Sequence, residues 1–244
     1  MMISPTTYYE EVKDTGIDNL QKEIRRLKRS IARLKKELEN PNRGPDLRCP
    51  SRSIVIYFSR EYLKMAKKAL AEAGGEYHEI MDEKRATRFM ENLPYLQRLE
   101  LDIITFMALE KYVIEIEGDT IHRISDLEPK IEAVQITTRE ELLNRLQDIH
   151  LDEWKKYYNP NQYGMFILDG IQWTLKLEYS HDIRLVQFVG DNVFPWNFEE
   201  LCTLFGIDQA CSMRCRILRT SFLSAATSSI CRIGNSWNQN SDGL

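Results

Sequence analysis

Four histidines, His78, His122, His150 and His181, are the first place to look for acid–base or metal chemistry, and they lie 44, 28 and 31 residues apart. Gaps of that size exclude an HExxH pair on one helix face. No G-x-S-x-G elbow, lysine-bearing phosphate loop or dinucleotide fingerprint occurs either, so the forms of catalysis that announce themselves in a short motif are absent. A triad assembled from distant residues stays open. Glu100, Asp102, Glu115 and Glu117 alternate along two expected neighbouring strands. Four convergent carboxylates hold a divalent cation in metal-dependent hydrolases, but the same alternation also describes a solvated sheet face. Cys202, Cys211, Cys215 and Cys231 fall in one short span without the CxxC pairing typical of zinc sites. With Cys49 the count is five, which points to free thiols rather than a disulfide framework. No catalytic, cofactor-binding or metal residue is assigned, and no cofactor is expected.

The elements that would position any site begin with "IDNLQKEIRRLKRSIARLKKELE", residues 17–39. Ile17, Leu20, Ile24, Leu27, Ile31, Leu34 and Leu38 repeat at alternating steps of three and four, a heptad seam with isoleucine at a and leucine at d until Leu38 ends the series. That assignment favours two parallel strands, and a lone helix of this length is marginal in water. The expectation is a homodimeric coiled coil across these seven residues. Thr15 and Asp18 have capping-box spacing, and Pro41, Gly44 and Pro45 stop the helix. The opposite face carries Lys22, Arg25, Arg26, Lys28, Arg29, Arg33, Lys35 and Lys36, opposed between its ends only by Glu23. Of these, Arg25, Arg26, Arg29, Arg33 and Lys36 are the candidates for contact with a polyanion such as nucleic acid. The alternatives are a solvated exterior, or pairing with the acidic remainder of the chain.

Beyond the linker, "SIVIYF" (53–58) reads as a short strand and the run from Ser59 as a helix stopped by Gly74 and Gly75. "EYHEIM" (76–81) reads as a second strand, and the residues before Pro94 as a helix. "LQRLELDIITF" and "KYVIEIEGDTIHRI" alternate like antiparallel strands with a turn at Gly118–Asp119. Thr138 and Glu141 form a capping box for a helix over 139–149.

The last ordered-looking unit is aromatic. Trp173, Leu175, Leu177 and Tyr179 alternate with Gln172, Thr174, Lys176 and Glu178, a half-buried strand that returns after a turn at Ser180–Asp182. Gly190-Asp191-Asn192 bends the chain, and "FPWNFEEL" leads into a helix capped by Asn197 and ended by Gly206. Trp173, Phe194 and Trp196 are candidates for a protein-binding surface, weighed against a place in the core. Residues 168–207 resemble a recurring segment of uncharacterised bacterial proteins, in which a DG-x-QW-x-L strand precedes a G-[SD]-N-x-[FY]-P-x-NF turn and a helix. The resemblance implies a bacterial or mobile-element origin and no particular activity.

Hydrophobic residues make up 43% of the 244-residue chain and charged residues 29%, the balance of a globular protein. A net charge of −4 disfavours a generally cationic nucleic-acid binder while leaving room for a local patch. No apolar run is long enough to cross a bilayer and no secretory signal opens the chain, so a cytoplasmic protein is expected, without membrane contact. The fold class is α+β: an N-terminal coiled-coil helix (1–41), a linker (42–52), an α+β domain with a mixed, mostly antiparallel sheet (53–150), an aromatic hairpin-plus-helix module (151–207) and a Ser/Arg/Cys-rich, partly disordered tail (208–244). The expected function is non-enzymatic macromolecular interaction by a dimer with an unidentified protein partner. The alternatives are a nucleic-acid-associated regulator or nuclease inhibitor using the basic helix, and a metal-dependent hydrolase.

Overall fold

In the computed structural model of the chain, residues 2–106, 108–125, 136–165 and 170–207 are described. The tail expectations, including the cysteines at 211, 215 and 231, lie outside them. Three helices come first: α1 (Pro5–Val12), α2 (Ile17–Glu39) and α3 (Arg52–Glu72). The seam of α2 is buried, but within its own chain. Leu20, Ile24 and Leu27 pack with Ala66, Ala69 and Leu70 of α3 and Tyr8 of α1. Ile31, Leu34 and Leu38 pack with Ile56 of α3. All six are at most 7% exposed, whereas Ile17 is 39% exposed. At roughly 2 kcal/mol per buried aliphatic side chain, the six supply on the order of 10 kcal/mol of gross driving force. The expected intermolecular seam is therefore corrected to an intramolecular one: little of the ridge is left to bury against a second copy.

The partner of that ridge is where the local reading went astray. Residues 53–58 are not a strand; they open α3. A six-residue apolar run has no period that separates strand from helix. Here Ile56, Ser59, Leu63, Ala66 and Leu70 continue at helical steps along one face. Ser51, not Ser59, is the N-cap, accepting from the Ile54 amide at 3.4 Å, and Ser59 is buried in mid-helix. The glycine stop holds: Gly74 takes φ +75°, its amide reaches Ala71 O, and the Gly75 amide reaches Leu70 O at 2.9 Å, a Schellman closure. At the start of α2 the capping box does not form. Gly16 is the N-cap, and the Thr15 hydroxyl donates to Val12 O at 2.7 Å instead.

The expected strand over 76–81 is also absent; Ile80 is the N-cap residue of α4 (Met81–Asn92). From there the chain forms β1 (Leu96–Ile104), β2 (Leu109–Glu117), β3 (Thr120–Ser125), α5 (Arg139–Ile149), β4 (Tyr157–Tyr158), β5 (Gln172–Tyr179), β6 (Val186–Asp191) and α6 (Phe198–Leu204). The six strands make one sheet in the order β3-β2-β1-β5-β6-β4, antiparallel except for the β4–β6 pair. The fold is α+β, with a mixed, mostly antiparallel sheet.

Strand alternation decides the faces. Leu99 of β1 stands between Ile114 and Leu177, and Leu101 between Tyr112 and Leu175. These join Phe89 of α4, Leu142 and Leu146 of α5, and Leu201 of α6 in the main core. Arg98, Glu100 and Asp102 occupy the other face. The α5 capping box forms, with Thr138 accepting from the Glu141 amide and the Glu141 carboxylate accepting from the Thr138 amide, both at 3.3 Å. No helix among the described residues is long and apolar enough to cross a membrane.

Candidate functional site

Three places carry the side chains singled out by the sequence, together with one it did not reveal. The first is the open sheet face. Glu100 and Asp102 sit across from Lys176 of β5, which reaches them at 2.6 and 3.2 Å. Lys111 of β2 and Arg98 each stand 3.0 Å from Glu100, and Arg98 lies 3.5 Å from Glu115. Burial opposes the Glu100 charge, but the Lys176 and Lys111 ammonium groups outweigh it and bring its pKa down to about 2. Three cations thus occupy the space a divalent ion would need. Glu117 stands apart, 3.6 Å from His122. The carboxylate row is a structural ladder of charges, of the cross-strand kind that aligns a solvated face.

The second is the aromatic module, where the structure turns the candidates inward. Trp173 is 1% exposed and donates from Nε1 to Val193 O at 2.9 Å. Phe194 is stacked on it at 6.3 Å between ring centroids. Trp196 packs on the apolar cluster of α2 and α3 and lies under the Arg60 guanidinium at 5.1 Å. The two halves of the aromatic module hold each other. Gly190 lies directly opposite Trp173 in the β5–β6 register. The Asn192 side-chain Oδ1 accepts from the Ile171 amide at 2.9 Å, while the Asn192 backbone N–H donates to Ile171 O at 2.8 Å. Asn197 is buried; its Oδ1 accepts from Trp154 Nε1 at 3.0 Å and its Nδ2 donates to Ile149 O at the end of α5. These contacts explain the residues of the module as packing and alignment.

The third place is unannounced by any motif: the junction where the α2–α3 hairpin meets the sheet domain. One flank of α2 presents Lys28, Lys35 and Glu39. Lys28 pairs with Glu83 of α4 at 3.0 Å, Lys35 with Glu153, and Glu39 with Lys155 at 2.5 Å. Arg60 of α3 also binds Glu153, through Nε at 3.2 Å and through Nη2. Beside this triad, His150 ends α5 in the left-handed region at φ 56°, ψ 48°, rare for a residue other than glycine. Its Nδ1 lies 3.9 Å from Asp152. Burial opposes the Glu153 charge, yet Lys35 and Arg60 pull its pKa down to about 2. Burial and then the negative charge of Glu153 push Asp152 up to about 6. Burial and the nearby Arg60 push His150 down.

His150, Asp152 and Glu153 could offer three ligand atoms within 4.8 Å of one another. The set suits a metal poorly, because Lys35 and Arg60 already neutralise Glu153 and would repel a divalent ion. The arrangement is a polar clamp, and it makes a prediction. Asp152 ionises at about 6 in the folded chain against an ordinary 3.8. The preference for its neutral form is therefore complete below pH 3.8 and lost as pH rises through 6. Asp152→Asn should stabilise the protein by about 1–2 kcal/mol at pH 8, after allowing for solvent screening, and change nothing at pH 3.5. Urea denaturation at the two pH values checks it.

The fourth place is the outward face of α2. At about 100° per residue, the buried seam spans about 80° of the helix, and Lys22, Arg25, Arg29 and Lys36 fall within about 60° on the opposite side. All four are exposed, and among the described residues none forms an ion pair. Arg26 is held by both oxygens of Glu23 at 2.6 Å, and Arg33 stands 3.8 Å from Glu37. Of the five candidates for polyanion contact, then, Arg25, Arg29 and Lys36 are unpaired and two are partly neutralised. Lys22 joins them. Lys28 and Lys35 belong to the clamp.

No known protein family, curated protein or solved structure matches this chain.

Proposed function

We propose that this is a binding protein rather than a catalyst, and that it grips an acidic macromolecule with the outward face of α2. The observation that carries the reading is the division of labour around that helix. Its apolar side is consumed by α3, one flank is clamped to the sheet domain, and the side left over is a row of unpaired cations. In a chain of net charge −4, such a row steers encounters toward a partner of opposite sign. The carboxylate clusters, by contrast, are spent on lysines and arginines of the same chain. This leaves the metal-dependent hydrolase without support.

Heparin affinity chromatography at low ionic strength tests the reading. The protein should be retained and elute with salt, and Arg25→Glu/Arg29→Glu should pass through unretained while keeping its helical circular dichroism. Flow-through of the unaltered protein would end the proposal.

A further inference from the structure

We infer that the acidic partner is double-stranded DNA, held by its phosphates along α2 with little reading of base sequence. This rests on the reading that the outward face of α2 is the contact surface, and it adds the identity of the partner and the way it is held.

The helix fits a DNA groove in length and shape. From Lys22 to Lys36 the helix rises about 21 Å, close to six base-pair steps at 3.4 Å. A helix with its side chains is about 10–12 Å wide and enters the major groove of B-form DNA, which is about 12 Å wide. The major groove of duplex RNA is too narrow and deep for side chains to read.

The cations lie on both sides of the outward direction around the helix axis. With the seam centred at zero, Arg29 points about straight outward, at 180°; Arg25 and Lys36 fall about 20–40° to one side and Lys22 about 20° to the other. A helix seated in a groove needs charges on both flanks, because a phosphate strand runs along each wall. Arg33 and Arg26, further round on the second flank, sit 3.8 and 2.6 Å from Glu37 and Glu23 and would exchange those partners for phosphate.

The face also lacks the side chains that other acidic partners would call for. Between Lys22 and Lys36 its outward positions hold Arg25, Arg26, Arg29, Ala32 and Arg33, with no asparagine or glutamine to pair with adenine. It has no aromatic residue on which an unpaired base could stack, which disfavours single strands. It has no exposed leucine, isoleucine or phenylalanine to enter a lipid surface, since the apolar side of the helix is buried on α3. Arg29 alone points at the groove floor, where an arginine can pair with guanine, and the other cations lean toward the walls, so affinity should depend strongly on salt and weakly on sequence.

Fluorescence anisotropy with the full chain and a labelled duplex of about 20 base pairs, some three times the footprint, provides the test. Four to six phosphate contacts, the upper count with Arg26 and Arg33 released from their glutamates, predict a slope of log K against log salt of about −3.6 to −5.4, or roughly 150- to 2,000-fold loss of affinity between about 50 and 200 mM salt. Arg25→Gln/Arg29→Gln should flatten that slope by about 2, and Lys64→Gln, a neutralisation of an exposed lysine on α3, should leave it unchanged. Two duplexes of unrelated sequence should bind within about threefold of each other. Retention on heparin without binding of the duplex at low salt would overturn this inference and leave the broader reading standing; failure on both would overturn both. Tighter binding to single strands, to duplex RNA or to phosphatidylserine vesicles than to the DNA duplex would overturn it, as would a strong preference between the two sequences.

Discussion

Glu153→Leu is expected to lower the stability of the protein by about 3 kcal/mol, seen as a shifted urea midpoint. Glu153 is the carboxylate shared by Lys35 of α2 and Arg60 of α3. The two cationic side chains are only 16% and 13% exposed. Removing their acid leaves two half-desolvated positive charges facing one another without a counterion. Breaking a buried pair in this way costs about 3–5 kcal/mol, and the 28% exposure of Glu153 places this case at the lower end. The triple replacement Lys35→Met/Arg60→Leu/Glu153→Leu should be more stable than Glu153→Leu alone, because it withdraws the uncompensated charges as well. A loss below about 0.5 kcal/mol for the single change would mean that the triad does not hold the hairpin to the sheet. The sign at low pH is also set. The pKa of Glu153 lies near 2 against an ordinary 4.5, so its contribution is full above pH 4.5 and disappears as pH falls toward 2. The penalty of the substitution should shrink in step.

Some of this architecture is written in short-range patterns. The hairpin of β2 and β3, the capping box at Thr138 and Glu141, the glycine stop after α3 and the alternating strand around Trp173 depend on residues within a few positions of each other, and local chemistry decides them. What was not legible depends on partners far along the chain. The heptad of α2 asks only for an apolar surface, and nothing in it distinguishes a twin helix from α3. The start of α3 resembles a strand until the stripe of Ile56, Leu63, Ala66 and Leu70 has something to lie against. The charged flank of α2 is the clearest instance. Lys28, Lys35 and Arg25 look equivalent in the sequence; the fold places two of them on Glu83 and Glu153, 55 and 118 residues away, and leaves Arg25 exposed. Lys28, Lys35 and Glu39 fall at helical steps on one flank beside the apolar seam, and that placement was the available signal. The His150–Asp152–Glu153 cluster has no counterpart in periodicity at all; its meaning comes from the cations of α2 and α3.

Gly190→Ala is expected to cost about 3–4 kcal/mol, although it adds one methyl group to a strand. The bend read into Gly190-Asp191-Asn192 begins later than its first residue: Gly190 and Asp191 belong to β6, and the left-handed residue is Asn192, at φ 55°. Gly190 is needed for closeness instead. A β-carbon there would stand 2.1 Å from Nε1 and 2.2 Å from Cε2 of Trp173, well inside van der Waals contact. The far end of a flexible side chain could retreat, but this indole cannot. It is 1% exposed, its N–H is committed to Val193 O, and its ring is flanked by Trp154 at 6.0 Å, Tyr158 at 5.6 Å and Phe198 at 4.9 Å. Overpacking a core costs about 1–3 kcal/mol, and an indole N–H driven off its acceptor while buried adds about 1–3 more. Trp154 stands in the same cluster and is tied to Asn197, so the disturbance reaches the start of α6 and the end of α5. The cause can be separated from a generic loss of strand propensity by combining the change with Trp173→Ala. Without the ring nothing stands where the new methyl must go, so the double variant should be little less stable than Trp173→Ala alone, whereas two independent defects would add. Thermal and urea unfolding of the four proteins decide between these outcomes, and a Gly190→Ala protein within about 1 kcal/mol of the parent would show that the indole is not seated over the strand as described.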